Sequence, residues 1–309
     1  MKTKTKIGTR GSVLALAQAQ EVLAGLEAAH HASRQEFEVC VIKTSGDRIQ
    51  DRPLAEAGGK GLFTKEIEEA LLAREIDLAV HSMKDVPTIL PAGLAIACYL
   101  PRADVRDAFI SSKAASLSQL PATAVVGTSS LRRQAQVKRL RPDLQVVPLR
   151  GNVDTRLRKL QEGAVDATLL ACAGLARLGL SNRITQPVSV DDMLPAVAQG
   201  AIGVEIRADD DRTAHLLAPI NHAQTALAVA VERAFLAKLD GSCKTPIAGL
   251  AQLVAPDRLL FCGQILAPDG RRAHATRREG RPETAIAMAE DAAAELIALA
   301  GPDFFRALI

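Results

Sequence analysis

A strand, turn and helix pattern that occurs twice constrains this chain more than any other feature of its sequence. Residues 6–9 read as a short strand that runs through Thr9-Arg-Gly-Ser12 into a helical stretch at 12–30. Residues 125–127 do the same, through Gly127-Thr-Ser-Ser130 into the next helix. The strand read at 38–43 has its echo at 146–150, and Glu75-Ile-Asp-Leu78, at the start of a strand over 76–81, has its echo in Ala164-Val-Asp-Ala167. A further helix is read at 63–73. Strands alternating with helices are the pattern of parallel strands joined by crossover helices, so the repetition predicts two α/β lobes of similar design. The 309 residues leave room for two or three domains.

Proline and charge at 101–106 suggest a hinge between the lobes, and a second crossing is expected at 190–200. The apolar segment 201–206 then reads as a strand returning to the first lobe. From residue 221 the texture changes. A helix runs to about 239, and the turn-forming Asp240-Gly-Ser-Cys-Lys-Thr-Pro246 follows. Strand-like runs at 247–254, 258–266 and 271–278 are separated by short Pro-Asp connections, and an Ala-rich helix closes the chain. Connections that short predict an antiparallel meander in a small α+β domain. The expected boundaries are 1–100 with 200–218, 105–194, and 221–309.

Composition mainly excludes. Hydrophobic residues at 48% and charged residues at 24% are globular values. No stretch is apolar enough to span a bilayer, and the basic start lacks the apolar core of a secretion signal, so a soluble, cytoplasmic protein is expected. A net charge of +3 with 3% aromatics and no Trp argues against nucleic acid. The five cysteines form no CxxC pair and no metal-ligand cluster, so neither a disulfide framework nor a metal is expected. Cys40, Cys98, Cys172 and Cys262 sit in apolar runs, where a thiol behaves as a small buried hydrophobe. Cys243 lies instead in a turn beside Lys244, where exposure and a neighbouring cation favour the thiolate.

In α/β sheets, ligands bind beyond the carboxyl ends of the strands. Four such ends carry Arg or Lys here: Thr9-Arg-Gly-Ser12, His81-Ser-Met-Lys-Asp85, Gly127-Thr-Ser-Ser-Leu-Arg-Arg133 and Arg150-Gly-Asn-Val-Asp-Thr-Arg156. A Gly-Thr-Ser-Ser helix start suits an anion, although on its own an ordinary N-cap is the better explanation. Arg10, Arg132, Arg133, Arg150 and Arg156 tip the balance toward a polyanionic ligand, because guanidinium forks suit bidentate carboxylate or phosphate recognition. Asp85 stands out as an acid in basic company. It is either a salt-bridge or turn residue, or a group that delivers a proton and stabilises a developing cation. His81 reads as a hydrogen-bonded core histidine rather than a catalyst. The loop Gly58-Gly-Lys-Gly61 carries one cation and is either a lid or simply a loop.

His81-Ser-Met-Lys-Asp-Val-Pro87, Gly127-Thr-Ser-Ser-Leu-Arg-Arg133, Leu149-Arg-Gly-Asn-Val153 with Thr155-Arg156, Ala198-Gln-Gly200 and the cysteine loop at 241–246 together resemble the porphobilinogen deaminase family, in the family's order. The resemblance implies two periplasmic-binding-protein-like α/β lobes plus a small C-terminal α+β domain with a three-stranded antiparallel sheet. It implies that Cys243 forms a thioether to one dipyrromethane cofactor per chain. Asp85 would assist loss of ammonia from porphobilinogen and stabilise the azafulvene cation that the terminal pyrrole attacks. Four such additions and a hydrolysis would release hydroxymethylbilane, leaving the primer in place. By motif position Ser12, Lys60, Lys84, Asp85, Thr128, Ser129, Ser130, Arg132, Arg133 and Arg156 would contact the cofactor, while Arg10, Arg150, Arg177 and Gln199 would meet substrate or the growing chain. A monomer is expected. Two positions depart from the family's pattern: Ser242 stands where many relatives have glycine, and Glu56 where some have a basic residue.

Two rival readings remain. A non-catalytic two-lobed protein binding a polycarboxylate would use the same lobes, but leaves Cys243 and the third domain unexplained. A phosphate-handling enzyme would use the same Gly-Thr-Ser-Ser start, but the chain lacks a Walker-type loop and an acidic metal site.

Overall fold

The computed structural model describes residues 4–48, 61–239, 246–302 and 304. Internal contacts divide the chain into one unit of Met1–Ala103 with Gly200–Leu227 and another of Asp104–Gln199 with Ala228–Ile309. The chain therefore changes unit within both segments where the sequence predicts a crossing, and again within a later helix.

In the first unit, β1 (Thr5–Arg10), α1 (Val13–His30), β2 (Phe37–Ile42), α2 (Ser45–Arg48), α3 (Lys65–Leu72), β3 (Leu78–Ser82) and β4 (Leu94–Tyr99) come first; β10 (Ile202–Arg207) and α7 (Asp211–Leu217) complete it. The sheet order is β2-β1-β3-β10-β4. β1 runs parallel to β2 and β3, whereas β10 lies antiparallel between β3 and β4. Residues 201–206 thus return to the first sheet, as their apolar run predicts. Side chains alternate across the strands. Ile7, Leu78, Val80 and Val204 pack with Ala19, Val22, Leu23 and Leu26 of α1, while Ile76 and Ala79 pack on the other face with Ile67, Ala70 and Leu71 of α3. Both faces are covered, which is why these strands are apolar throughout.

The second unit holds β5 (Asp107–Ser111), β6 (Val125–Gly127), α4 (Leu131–Leu140), β7 (Gln145–Val147), α5 (Val153–Gln161), β8 (Ala167–Ala171), α6 (Cys172–Arg177) and β9 (Gln186–Pro187). Its sheet order is β7-β6-β8-β5-β9, with β6 parallel to β7 and β8 and with β5 antiparallel to β8 and β9. The echo in the sequence is therefore an echo in topology: three parallel strands in the order second, first, third, then one antiparallel strand, then an edge. The reading of parallel strands alone is corrected. The antiparallel strand is supplied at a crossing, by β10 after the second and by β5 after the first, and strand alternation carries no sign of direction. Phe109, Val126, Val137 and Leu169 fill one face of this sheet, and Ile110, Leu157, Leu170 and Leu175 the other.

The same unit continues through α8 (Ala223–Lys238), which the boundary between units crosses. It then adds β11 (Ile247–Ala255), β12 (Arg258–Leu266), β13 (Ala273–Gly280) and α9 (Ala285–Ala300). The three strands form an antiparallel meander in the order β11-β12-β13. Ala289, Ala292, Ala293 and Leu296 of α9 are buried, and Phe235 of α8 meets Phe261 of β12 edge-on at 5.0 Å. Element bounds differ from the sequence reading by a few residues. The largest difference is at 146–150, where pairing stops at Val147 and Arg150 lies beyond the strand. β4, β5 and β9 have no strand reading in the sequence, and β8 only the echo at 164–167.

Cys98 and Cys172 are buried, and burial pushes their thiols up to about 12 and about 11. Cys40 and Cys262 are only half-buried, so the reading of all four as interior hydrophobes is too strong for these two, although burial raises them as well. Among the described residues, no helix is long and apolar enough to cross a membrane, and no group of three or more His, Cys, Asp or Glu is placed to hold a metal ion.

Candidate functional site

In the first unit the carboxyl ends of β1 and β3 lie side by side, and a cavity of about 60 Å³ opens there, lined by Arg10, Ser12, Gln18, His81, Ser82 and Asp85 among others. Ser12 caps α1 by accepting from the Ala15 N–H at 3.2 Å. Gln18, on the next turn, donates to Ser82 Oγ at 2.7 Å and accepts from it at 3.1 Å, which ties α1 to the end of β3. The Arg10 guanidinium stacks 4.0 Å from the Phe63 ring centroid, a cation–π contact that places the cation.

Asp85 ends a single 3-10 turn, Met83–Asp85, that follows β3. The turn is held from beneath. Met83 is buried against Gly203 of β10, where a Cβ would stand 2.1 Å from its sulfur, and the Met83 N–H donates to the Ala201 carbonyl at 3.1 Å. Asp85 is itself half-buried, and among the described residues no hydrogen bond or ion pair occupies its carboxylate. Lys84 is half-buried beside it. His81 lies on the face of the sheet that α3 covers, where its Nε2 donates to Glu205 Oε2 at 2.9 Å, both side chains being buried. That is the hydrogen-bonded core histidine read from the sequence.

In the second unit the anion-type helix start is built as its sequence suggests. Ser130 caps α4 by accepting from the Arg133 N–H, Thr128 Oγ1 accepts from the Ser130 N–H at 3.2 Å, and Ser129 is exposed. Asn152 caps α5 at 2.9 Å. The preceding Gly151 has φ +120° and would bring a Cβ to 2.6 Å from Thr155, so glycine is required there. Arg156 donates through Nε to the Gly151 carbonyl at 2.8 Å. Arg150 and Arg177 are half-buried.

Arg132 and Arg133 differ from these. Both are buried, and both converge on Asp107 at the start of β5. Arg132 donates through one Nη to Asp107 Oδ2 at 2.7 Å and to the Leu194 carbonyl at 2.8 Å. Arg133 makes a fork onto Asp107 Oδ1 at 3.1 and 2.7 Å and reaches the Leu169 carbonyl at 2.9 Å. Gln199 joins them, donating to Asp107 Oδ1 at 2.9 Å and to the Val105 carbonyl at 2.8 Å. Burial pushes the Asp107 carboxyl up, but the two guanidiniums outweigh it and hold it well below the usual carboxylate range. The sequence reading gives Arg132, Arg133 and Gln199 to cofactor or substrate; within the chain they already meet an internal carboxylate. Arg132 Nε remains buried without a partner among the described residues.

Asp107, Glu205 and a third buried acid, Glu232, escaped the sequence reading. Glu232 accepts from the Ala198 N–H at 2.6 Å and the Ala251 N–H at 2.8 Å, holding Ala198 at φ 59°, a conformation costly outside glycine. A signal was present. Asp107 opens Asp-Ala-Phe-Ile and Glu205 sits inside Gly-Val-Glu-Ile, and an acid within a buried strand calls for a partner. The candidates Cys243 and Lys60, and with them Ser242 and Glu56, lie outside the described residues.

Residues 5–215 match the family model described as "Porphobilinogen deaminase, dipyromethane cofactor binding domain", and residues 226–298 that of the porphobilinogen deaminase C-terminal domain. The chain belongs to the porphobilinogen deaminase family. A porphobilinogen deaminase of Paracoccus denitrificans is 61% identical over 97% of this chain and 96% of its own length. That of Nitrobacter hamburgensis is 58% identical over 97% and 94%, and the chloroplastic enzyme of Pisum sativum 55% identical over 97% and 83%. Among solved structures, a periplasmic substrate-binding protein of an ABC transporter from Coxiella burnetii has a TM-score of 0.43 at 15% identity, covering 74% of this chain and 96% of that one. Taken unit by unit, the first carries Arg10 at the cavity beside the capped start of α1, and the second carries Ser129, Arg150 and Arg156 near the starts of α4 and α5, donors of the kind an anion takes.

Proposed function

We propose that this chain is a hydroxymethylbilane synthase, which deaminates four porphobilinogen molecules, joins them head to tail and releases the linear tetrapyrrole. The observation that carries the reading is the Asp85 carboxylate at the cavity beside β3, which has no partner among the described residues, within a chain that matches the family along nearly its whole length. When bound, dipyrromethane supplies the primer onto which pyrroles are added. Asp85 holds a proton at the aminomethyl nitrogen of the incoming pyrrole and faces the positive charge that develops as ammonia departs. Arg10, Arg150, Arg177 and Gln199 receive substrate carboxylates. Ser12, Lys60, Lys84, Thr128, Ser129, Ser130, Arg132, Arg133 and Arg156 serve the cofactor, with Cys243 as its anchor through a thioether. In this assignment Arg132, Arg133 and Gln199 act from the Asp107 cluster.

We assign three domains, 1–100 with 200–218, 105–194 and 221–309. Separate sheets and separate family models favour the last division, although contacts group 104–199 with 228–309. The chain is assigned to the cytoplasm as a monomer that binds no nucleic acid. An intact-protein mass spectrum tests the central claim. The expected mass exceeds that of the sequence by one dipyrromethane, and the excess follows Cys243 in a peptide map. An active chain of unmodified mass overturns it.

A further inference from the structure

The cavity that holds Asp85 is also lined by a histidine, only one of whose ring nitrogens has a hydrogen-bond partner among the described residues. His81 Nε2 is committed to Glu205 at 2.9 Å on the same face of the sheet, while Nδ1 has no hydrogen-bond partner among the described residues and the residue lines the cavity. A buried carboxylate that fixes one imidazole nitrogen selects the tautomer in which the other accepts a proton, the arrangement by which an acid orients a general base. Glu205 is fully buried on β10, and its second oxygen has no partner among the described residues, so orienting His81 is the one hydrogen-bonding task the structure gives it.

The reaction asked of this cavity needs such a group. In each addition the bond between methylene carbon and nitrogen breaks, and its electron pair leaves with ammonia. A carbon–carbon bond forms to the α-carbon of the terminal pyrrole, whose C–H electrons return to the ring, and that proton must be accepted. Asp85 deals with the nitrogen. A second acceptor lets Asp85 keep its charge until the α-carbon proton has left.

We propose that His81 accepts the α-carbon proton at Nδ1, oriented by Glu205 as a positioning residue, and passes it on to the departing ammonia or to solvent. The proposal rests on the function assigned above. The charged groups around His81 are Glu205 on β10, Glu68 on α3, Arg10 at the end of β1 and Asp85. Glu68 is buried, and burial raises its carboxyl. The cavity of about 60 Å³ is polar and large enough for bridging water, which extends the reach of Nδ1.

The experiment uses the holoenzyme with ¹⁵N-labelled histidine. Long-range ¹H–¹⁵N spectra are expected to find His81 protonated at Nε2 with Nδ1 bare; an Nδ1–H tautomer overturns the proposal without any variant being made. In His81→Gln, with full cofactor loading verified by mass, kcat is expected to fall on the order of 100-fold. KM should stay put, and the acid limb of the kcat profile should disappear. Glu205→Gln should disturb the tautomer and lower kcat in the same sense. A loaded His81→Gln enzyme with wild-type kcat and pH profile sinks this proposal and leaves the synthase reading standing. A wild-type chain carrying no dipyrromethane sinks both.

Discussion

The strand ends of the two five-stranded sheets carry charge for opposite purposes. In the first unit the proposed catalytic group, Asp85, sits half-buried at a cavity, and among the described residues no hydrogen bond or ion pair occupies it. In the second the equivalent region gathers two arginines and a glutamine around the buried Asp107 and satisfies most of their donors internally. The folds match strand for strand, so backbone topology does not set the difference. What differs is where the counter-charge comes from. An acid left open to a cavity is available for chemistry, whereas a guanidinium anchored by an internal acid becomes a rigid fixture.

The comparison can be broken first at its reactive end. Asp85→Asn should load cofactor normally, as mass spectrometry would register, yet lose turnover on the order of 1,000-fold, because stabilising a developing charge in a sheltered cleft is worth several kcal/mol. Near-normal single-turnover rates would remove Asp85 from the chemistry. At the structural end, Asp107→Asn leaves two buried guanidiniums without their carboxylate and should cost about 3–5 kcal/mol of stability, read as a lower denaturant midpoint. An unchanged midpoint would mean that the cluster is held by its carbonyl contacts instead.

Acid sharpens the same contrast. The folded-state pKa of Asp107 is depressed below that of an unfolded aspartate, so its contribution is present at neutral pH and above. It is lost as pH falls below about 4 toward the depressed value. Wild-type stability should therefore fall through that window more steeply than that of Asp107→Asn, in denaturant titrations at stepped pH. The smallest effects compare the two helix starts. Ser12→Ala and Ser130→Ala each remove an N-cap and should each cost about 1 kcal/mol. If Ser130 and not Ser12 also lowers cofactor loading, the α4 start is the more important anion site.

Much of this was legible in the chain. The repeated strand, turn and helix pattern gave two like lobes, because apolar periodicity and capping residues act locally. Asp85 stood out as an acid among cations, and His81 was rightly read as hydrogen-bonded. The direction of β5 and β10 was not legible, since side-chain alternation is the same whichever way a strand runs. Nor was the partner of any buried charge. Asp107 lies 25 residues from Arg132 and 92 from Gln199, and Glu205 lies 124 from His81. Nothing local in the sequence joins such pairs.

By itself, then, the sequence determined the lobes, the helix starts, the family and the kinds of group at each strand end, all of which depend on near neighbours along the chain or on motifs in order. Tertiary structure alone decided which of those groups remain available. Solvation and counter-charge depend on what folds against a side chain, and only the packed sheet made Arg132 and Arg133 fixtures, left Asp85 open and put Glu205 behind His81.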